Sequence, residues 1–527
     1  MELGGIERER LIEQQRLDGL KTSEERNQLG QFATPPLLAG DILQYAKGLI
    51  REEAPNLRFL DPAIGTGSFY SALRKVFPSQ DIEAAVGVEL DPTFAAVARS
   101  LWAHTGLDVV EADFTRERPP ETKLFNLIVS NPPYVRHHHL EPTAKEHLQR
   151  LVMLRHGIRI SGLAGLYCYF LLLSDAWLEA GGLSVWLIPS EFMDVNYGHA
   201  LKRYLTERVE LIRVHRFRPA DVQFSDALVS SAIVVFKKTL PKRAHEVQVS
   251  FGGSLLYPDR SAMVPLDSLC ASRKWSAFPC TDVDTSAHGN FLTLGDLFTI
   301  KRGLATGANG FFIVTEQQAV HWGIPAAFRR SILPNPRHLS GDVVEADASG
   351  CPANTVRLWL IDCDLAEDQI EAEFPQFWRY LQTGKSENIH TSYLASRRRP
   401  WYSQEKREAA PYLFTYMGRS NAGRRPFRVI WNKSAATAHN VYLLLYPSGI
   451  LKKMLERDPG LLPMVFRHLQ AIDTRYLLGE GRVYGGGLHK LEPKELARVP
   501  AQSLWEAVAG ADLKDQFVKP EQLSMAW

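Results

Sequence analysis

Cysteine is scarce in this chain: five occur among 527 residues, at positions 168, 270, 280, 351 and 363, and none forms a CxxC pair. An odd, scattered set excludes a disulfide framework and a zinc site built on paired cysteines, and fits reduced thiols in a cytoplasm. Long apolar runs are also missing. The most apolar stretch, 165–173, is too short to cross a bilayer and is broken by Asp175, so it reads as a buried helix and no membrane span is expected. Net charge is almost absent, +2 from 61 basic and 59 acidic residues, which would suit a nucleic-acid binder poorly if it were spread evenly. No internal repeat or long low-complexity tract occurs, which sets aside repeat architectures. The start, Met1-Glu2-Leu3-Gly4, leads into a charged, helix-like segment and not into a signal peptide. A hydrophobic content of 45% with 23% charged residues is ordinary for a soluble globular protein, and 527 residues imply two or three domains.

What the chain does have is concentrated in a few short segments. Phe125-Asn126-Leu127-Ile128-Val129-Ser130 is an apolar run of strand length that ends in Asn131-Pro132-Pro133-Tyr134. Buried parallel strands read as such runs, and functional loops of open α/β sheets follow the carboxyl ends of strands. Both prolines fix φ and remove amide donors, so the carbonyls near Asn131 and Pro132 are held in place. Asn131 adds a neutral acceptor and Tyr134 a flat apolar face. That set suits a planar group carrying an NH2, such as the edge of adenine. An uncharged site binds the amine without protonating it and leaves the nitrogen able to act as a nucleophile.

Upstream, Arg58-Phe59-Leu60 reads as a strand end that runs into Asp61-Pro62-Ala63-Ile64-Gly65-Thr66-Gly67-Ser68-Phe69. Gly65 and Gly67 let a backbone pass close to a ligand, and helix-forming residues begin at Ser68. The third glycine of the dinucleotide fingerprint is missing. A second apolar strand, Ala84-Ala85-Val86-Gly87-Val88, ends in Glu89, where a ribose-binding acid sits in Rossmann-like sheets. A third, Val109-Val110-Glu111-Ala112-Asp113-Phe114, ends in another acid beside an aromatic.

In these segments the chain resembles the gamma class of amino-group adenine DNA methyltransferases, which use S-adenosylmethionine (SAM) and occur in restriction–modification systems. Gln31-Phe32-Ala33-Thr34-Pro35-Pro36 resembles that class's N-terminal SAM motif. Asp61 to Phe69 is similar to its glycine motif, Glu89 to its ribose acid, Asp113-Phe114 to its adenine-edge motif, and Asn131 to Tyr134 to its catalytic motif in full. The likeness covers roughly the first 240 residues. The order of SAM motif, catalytic motif and long C-terminal region is the gamma order. The resemblance implies a Rossmann-like α/β sheet flanked by helices, followed by a mixed α+β target-recognition region. It implies SAM held by Thr34, Asp61, Ala63, Gly65, Gly67, Glu89, Asp113, Phe114 and Asn131. Catalysis would fall to Asn131, Pro132 and Tyr134, with Phe224 stacking on the other face of a flipped base; for Phe224 a core role is the alternative reading. Direct methyl transfer of this kind needs no metal. His137-His138-His139 cannot all face one ion on regular structure, so the triplet reads as a polar loop over the substrate.

The expected organisation is a helical lead-in over 1–28, the SAM-binding catalytic domain over 29–240, a connector over 241–290 and a DNA target-recognition domain over 291–527. In the last of these, charge is uneven. Residues 341–373 are rich in acids, whereas 397–433 carry Arg397, Arg398, Arg399, Lys406, Arg407, Arg419, Arg424, Arg425, Arg428 and Lys433, interleaved with Trp401, Tyr402, Tyr412, Tyr416, Phe427 and Trp431. Clustered cations neutralise phosphates; the alternative is a solvated charged face. Lys301-Arg302-Gly303-Leu304-Ala305-Thr306-Gly307-Ala308-Asn309-Gly310 resembles a recognition-domain segment of the same class, which makes Arg302, Thr306 and Asn309 candidates for contact with bases or phosphates. Tyr484-Gly485-Gly486-Gly487-Leu488-His489-Lys490-Leu491-Glu492-Pro493 resembles its closing segment.

The expected partner is double-stranded DNA, with no membrane and a cytoplasmic monomer. A separate cognate restriction endonuclease fits the same picture. Three rivals compete. A methyltransferase of RNA bases or protein glutamine shares the Asn-Pro-Pro-Tyr loop, but the long basic C-terminal half favours duplex DNA. A non-catalytic modification subunit would lack its own recognition half. A fused endonuclease would need room before Gln31 that the sequence does not offer.

Overall fold

The computed structural model describes residues 3–50, 56–218, 221, 223–224, 230–272, 274–279, 292–419, 425–484 and 488–513, and the chain divides into two compact units. The first comprises 1–285 with 484–487, the second 286–483 with 488–527. In the first, strands and helices alternate. β1 (Leu57–Asp61), β2 (Ile82–Glu89), β3 (Leu107–Glu111), β4 (Phe125–Ser130), β5 (Leu178–Pro189), β6 (Glu210–Arg216), β7 (Ser231–Lys237), β8 (Glu246–Gly253) and β9 (Pro258–Pro265) form one nine-stranded sheet. Its order is β3-β2-β1-β4-β5-β7-β6-β8-β9. The first five strands are parallel to their neighbours, and β7 lies antiparallel between β5 and β6. The direction of winding reverses between β1 and β4. The loops leaving those two strands therefore diverge and open a crevice at their carboxyl ends.

Nine α-helices accompany the sheet among the described residues of this unit: α1 (Leu3–Asp18), α2 (Ser23–Leu29), α3 (Pro36–Leu49), α4 (Ser68–Val76), α5 (Pro92–Leu101), α6 (Pro142–His156), α7 (Leu166–Ser174), α8 (His199–Glu207) and α9 (Leu266–Ala271). The apolar run of β4 serves both faces. Ile128 packs into the cluster formed by α7 and Trp186, whereas Leu127 and Val129 enter the cluster formed by α3, α4 and α5. Successive strand residues point to opposite sides, so a strand covered twice must be apolar throughout. Each such side chain contributes about 1.5–3 kcal/mol when fully buried. Within the stretch expected as a connector over 241–290, residues 246–265 carry two strands of this sheet: β8 pairs parallel to β6 and β9 pairs antiparallel to β8. Gly252 and Gly253 end β8 and Pro258 opens β9, on either side of the turn between the two strands.

The second unit is mixed α+β. Phe298–Arg302, Tyr442–Pro447, Tyr412–Thr415, Val429–Asn432 and Val343–Val344 form a five-stranded sheet in that order. Two smaller sheets and several short helices accompany it. Here the basic segment 397–433 departs from expectation. Arg428 bridges Asp342 at 2.8 Å, Lys433 bridges Glu345 at 2.7 Å, and Lys406 bridges both Asp362 and Asp364 at 3.0 Å. For Arg428 and Lys433 the cause is register. Val343–Val344 pairs parallel to Val429–Asn432, so charges flanking one strand meet those flanking the other. The interleaved aromatics are mostly core: Trp401, Tyr402, Tyr412, Tyr416 and Phe427 are all buried. Much of the acidic and basic patterning is thus internal complementarity. Among the described residues no helix is long and apolar enough to cross a membrane.

Candidate active site

Four strand ends meet at the crevice. Asp61 closes β1, Glu89 closes β2, Asp113 lies two residues beyond β3, and Asn131 follows β4 directly. Gly65 and Gly67 both adopt left-handed φ, +55° and +93°, which turns the chain from β1 into α4. A Cβ built on Gly65 meets nothing within 4 Å, so the loop borders open space on that side. Glu89 accepts from the Gly65 amide and from the Asp91 amide, each at 2.9 Å. Each carboxylate oxygen can accept two hydrogen bonds, so Glu89 keeps capacity for hydroxyl groups. Burial raises the Glu89 carboxyl above its ordinary range despite these amide bonds.

Asp61 is almost wholly buried and accepts from the Ala63 amide at 3.1 Å and the Ser130 hydroxyl at 2.9 Å. Burial pushes its carboxyl up to about 7, and the nearby Glu89 charge pushes the same way. Asp113 accepts from the Thr115 amide and hydroxyl and pairs with Arg116 at 3.3 Å. Phe114, expected against a cofactor ring, is instead a core residue. Its ring lies 5.4 Å from Phe170 and 5.2 Å from Trp177 and is almost fully enclosed.

At the catalytic loop, the Asn131 carboxamide donates its NH2 to the Phe32 carbonyl at 2.9 Å and to the Thr34 hydroxyl at 3.1 Å. A carbonyl only accepts, so this contact fixes which end of the amide points there. The other end, Oδ1, is buried with no hydrogen-bond partner among the described residues. Buried acceptors are normally satisfied, and one left open marks a place for a donor. Tyr134 is buried, its hydroxyl donating to the Leu187 carbonyl at 3.1 Å, and its amide donates to the Gly30 carbonyl at 3.0 Å. Phe32, Tyr134 and Phe224 form a triangle of rings, with centroids 5.6, 5.5 and 5.9 Å apart. Phe32 carried no signal beyond its place in the Gln31 to Pro36 motif. Its role as amide acceptor and ring neighbour depends on a contact 99 residues away in sequence. His137, His138 and His139 make a short turn in which the first two rings meet edge to face and the last two are tilted against each other.

The expected DNA-facing residues separate into two groups. Thr306 is buried, its hydroxyl donating to Asn309 Oδ1 at 2.6 Å and accepting from the Ala308 amide, so its polar atoms are engaged within its own loop. Arg398 is likewise committed, donating to the Ala305 and Thr306 carbonyls at 2.7 and 2.9 Å. Arg302, Arg397, Arg399 and Arg425 are exposed. Arg302 lies 4.0 Å over the Tyr416 ring and Arg397 lies 3.6 Å over Tyr393, which pre-orients both guanidinium groups. Arg424 lies outside the described residues.

Comparison with known proteins gives the family. Residues 92–223 match the family described as Eco57I restriction-modification methylase, and 283–524 match that described as type II methyltransferase M.Eco57I, C-terminal domain. The chain is 30% identical over 455 residues to the type II methyltransferase M.XamI of Xanthomonas campestris pv. amaranthicola, covering 85% of this chain and 81% of that one. M.AccI of Acinetobacter calcoaceticus, another type II methyltransferase, is 22% identical over 488 residues, covering 90% and 85%. A similar fold occurs in the type IIL restriction-modification enzyme MmeI, solved in complex with DNA, with a TM-score of 0.56 and 13% identity. The match covers 88% of this chain but 64% of that longer one.

The sheet and its crevice are those of a SAM-dependent methyltransferase. The chain belongs to the type II restriction–modification DNA methyltransferases. Its cofactor is SAM, and the chemistry of the crevice is compatible with it: open space beside the left-handed Gly65, and Glu89 with unused acceptor capacity.

Proposed function

We propose that this enzyme methylates the N6 amine of adenine in duplex DNA, at sites selected by its second unit. The observation that carries the reading is the Asn131 carboxamide, whose NH2 is pinned by Phe32 and Thr34 while its Oδ1 stays buried and open. Such an acceptor suits an amine N–H. In this reading Asn131 Oδ1 and the Pro132 carbonyl accept the two N6 hydrogens and direct the nitrogen lone pair outward. Bound SAM supplies a methyl group activated by its sulfonium. Thr34 holds Asn131 in place, Glu89 takes ribose hydroxyls, and Asp113 takes the adenine amine of the cofactor. Positioning and fixed dipoles then carry most of the rate. Digesting methylated duplex DNA to nucleosides for mass spectrometry tests the reading. N6-methyladenine is the expected product, and any other methylated base overturns it.

The target base must leave the stack to reach this loop, at a cost of a few kcal/mol. Two rings that sandwich a base stand about 7 Å apart, twice a ~3.5 Å contact distance. The Tyr134 and Phe224 rings are edge to face at 5.9 Å, so base entry requires one of them to move. Phe224→Ala should therefore reduce activity more on fully paired duplexes than on duplexes mismatched opposite the target. A lost stacking face, worth roughly 1–3 kcal/mol, hurts less where the base is already loose. An equal loss on both substrates would return Phe224 to a packing role.

The Asp61 carboxyl gives a pH dependence. It is pushed up to about 7 from an ordinary 3.8, mainly by burial. The folded state then binds more protons than the unfolded state across that window, so this group's contribution to stability falls as pH rises through it. A cationic ligand favours the ionised carboxylate. SAM affinity should rise as pH increases through about 7, with proton release on binding, and should level off above. Calorimetry from about pH 6 to about pH 8 reads this directly, and Asp61→Asn should flatten the curve. A wild-type affinity that is already flat would remove Asp61 from the cofactor's surroundings.

A further inference from the structure

Residues 3–29 carry none of the segments that drew attention in the sequence, yet they touch three of the loops that frame the crevice. The glycine loop is intrinsically soft, because glycine loses more conformational freedom on ordering than any other residue. Its central residue, Thr66, is held from α1 on both sides: the hydroxyl donates to Gln14 Oε1 at 2.8 Å and accepts from Arg10 Nη1 at 3.2 Å. Arg10 is 1% exposed, and a guanidinium that deep needs a counter-charge. Glu7 provides it through two bonds of 2.8 Å from Arg10 Nε and Nη2, which leaves Nη1 aimed at the loop. The Thr66 carbonyl accepts from Trp102 Nε1 at 2.9 Å and completes the bracing.

The second contact comes from Lys21, between α1 and α2. Its ammonium donates to Gln31 Oε1 at 3.1 Å and to Asp91 Oδ2 at 2.7 Å, and lies 5.2 Å over the Phe94 ring. Asp91 caps α5 through the Thr93 amide and gives its own amide to Glu89 at 2.9 Å. One side chain thus links the residue that opens the Phe32–Thr34 segment to the turn that carries Glu89.

We infer that the N-terminal segment is a positioning element of the cofactor site, with Arg10 and Gln14 setting the glycine loop and Lys21 setting the Gln31 and Glu89–Asp91 loops. This rests on the reading of the crevice as the SAM pocket. A purely structural role would lower stability without singling out the cofactor, whereas a positioning role acts on SAM and spares DNA. Lys21 and Gln14 are the residues to change, since removing Arg10 would take from Glu7 its nearest cation and leave it Lys75 at 3.9 Å.

The test measures SAM binding to the full chain by calorimetry without DNA, beside DNA affinity, melting temperature and steady-state kinetics. Lys21→Met should weaken SAM binding about tenfold and raise KM for SAM accordingly, with kcat within about twofold. Lys21→Arg should restore most of that loss. Gln14→Leu should weaken SAM in the same direction, with DNA affinity unchanged in each variant. Unchanged SAM affinity in a folded Lys21→Met protein would overturn the proposal, as would SAM and DNA affinities falling together with the melting temperature. Glu89→Gln serves as the control for the pocket. If it binds SAM normally, the pocket reading itself falls and the proposal with it; if it loses SAM, the outcome for Lys21 stands alone.

Discussion

Asn131→Ala should abolish methyl transfer while SAM binding stays close to that of the wild type. Removing one preorganised hydrogen-bonding group from a site of this kind costs about 10²–10³-fold in turnover, and Asn131 supplies one of the two acceptors assigned to the target amine. Its contacts in the folded protein are to Phe32 and Thr34, not to the glycine loop or to Glu89, so the cofactor's main supports survive the change. Asn131→Asp is the sharper variant. A carboxylate there would set an acceptor against the Phe32 carbonyl in place of the present 2.9 Å donation, and the repulsion would turn the group away from the target. Both variants should therefore be inactive on duplex DNA and competent in SAM calorimetry. Near wild-type turnover in either would show that the catalytic loop has been misassigned.

Gly30→Ala should have a comparably large effect from outside the catalytic motif. Gly30 ends α2 in the left-handed region at φ +65°, where an L side chain adds roughly 1–2 kcal/mol of strain. The strain is the smaller part. A Cβ there would stand 2.3 Å from the Tyr134 amide nitrogen and 2.6 Å from that of Val135. Both are backbone atoms, so no rotamer change relieves the clash and the Asn131–Tyr134 loop itself must shift. Misplacing a reacting group by about an ångström costs about 10²-fold in rate. The expected result is a folded protein that binds SAM within a few-fold of the wild type and turns over roughly 10²-fold more slowly. A folded Gly30→Ala enzyme with normal turnover would show that this close approach does not set the loop.

The charge pattern of the second unit shows how far a one-dimensional reading carries. Residues 397–433 looked like a surface for phosphates because cations and aromatics alternate there. Sheet register decides otherwise for Arg428 and Lys433, whose partners Asp342 and Glu345 lie 86 and 88 residues earlier. Among the described residues, Arg397, Arg399, Arg419 and Arg425 of this segment are exposed, as is Arg302 outside it, and these are the ones to carry forward as phosphate contacts.

By itself the sequence determined the parts of this protein that depend on neighbours in the chain. A doubly covered strand must be apolar, a loop that passes a ligand closely needs glycine, and prolines after a strand make a rigid acceptor. Those local demands place Asp61, Glu89, Asp113 and Asn131 at or just beyond consecutive strand ends. Tertiary structure decided what depends on residues far apart. It turned the Asn131 amide through Phe32 and Thr34, buried Phe114 and Thr306, and drew the 246–265 strands into the sheet. It also brought Arg10 and Lys21 onto the crevice. Side-chain orientation and ion pairing are set by which strands and helices become neighbours, and that information appears only when the chain has closed on itself.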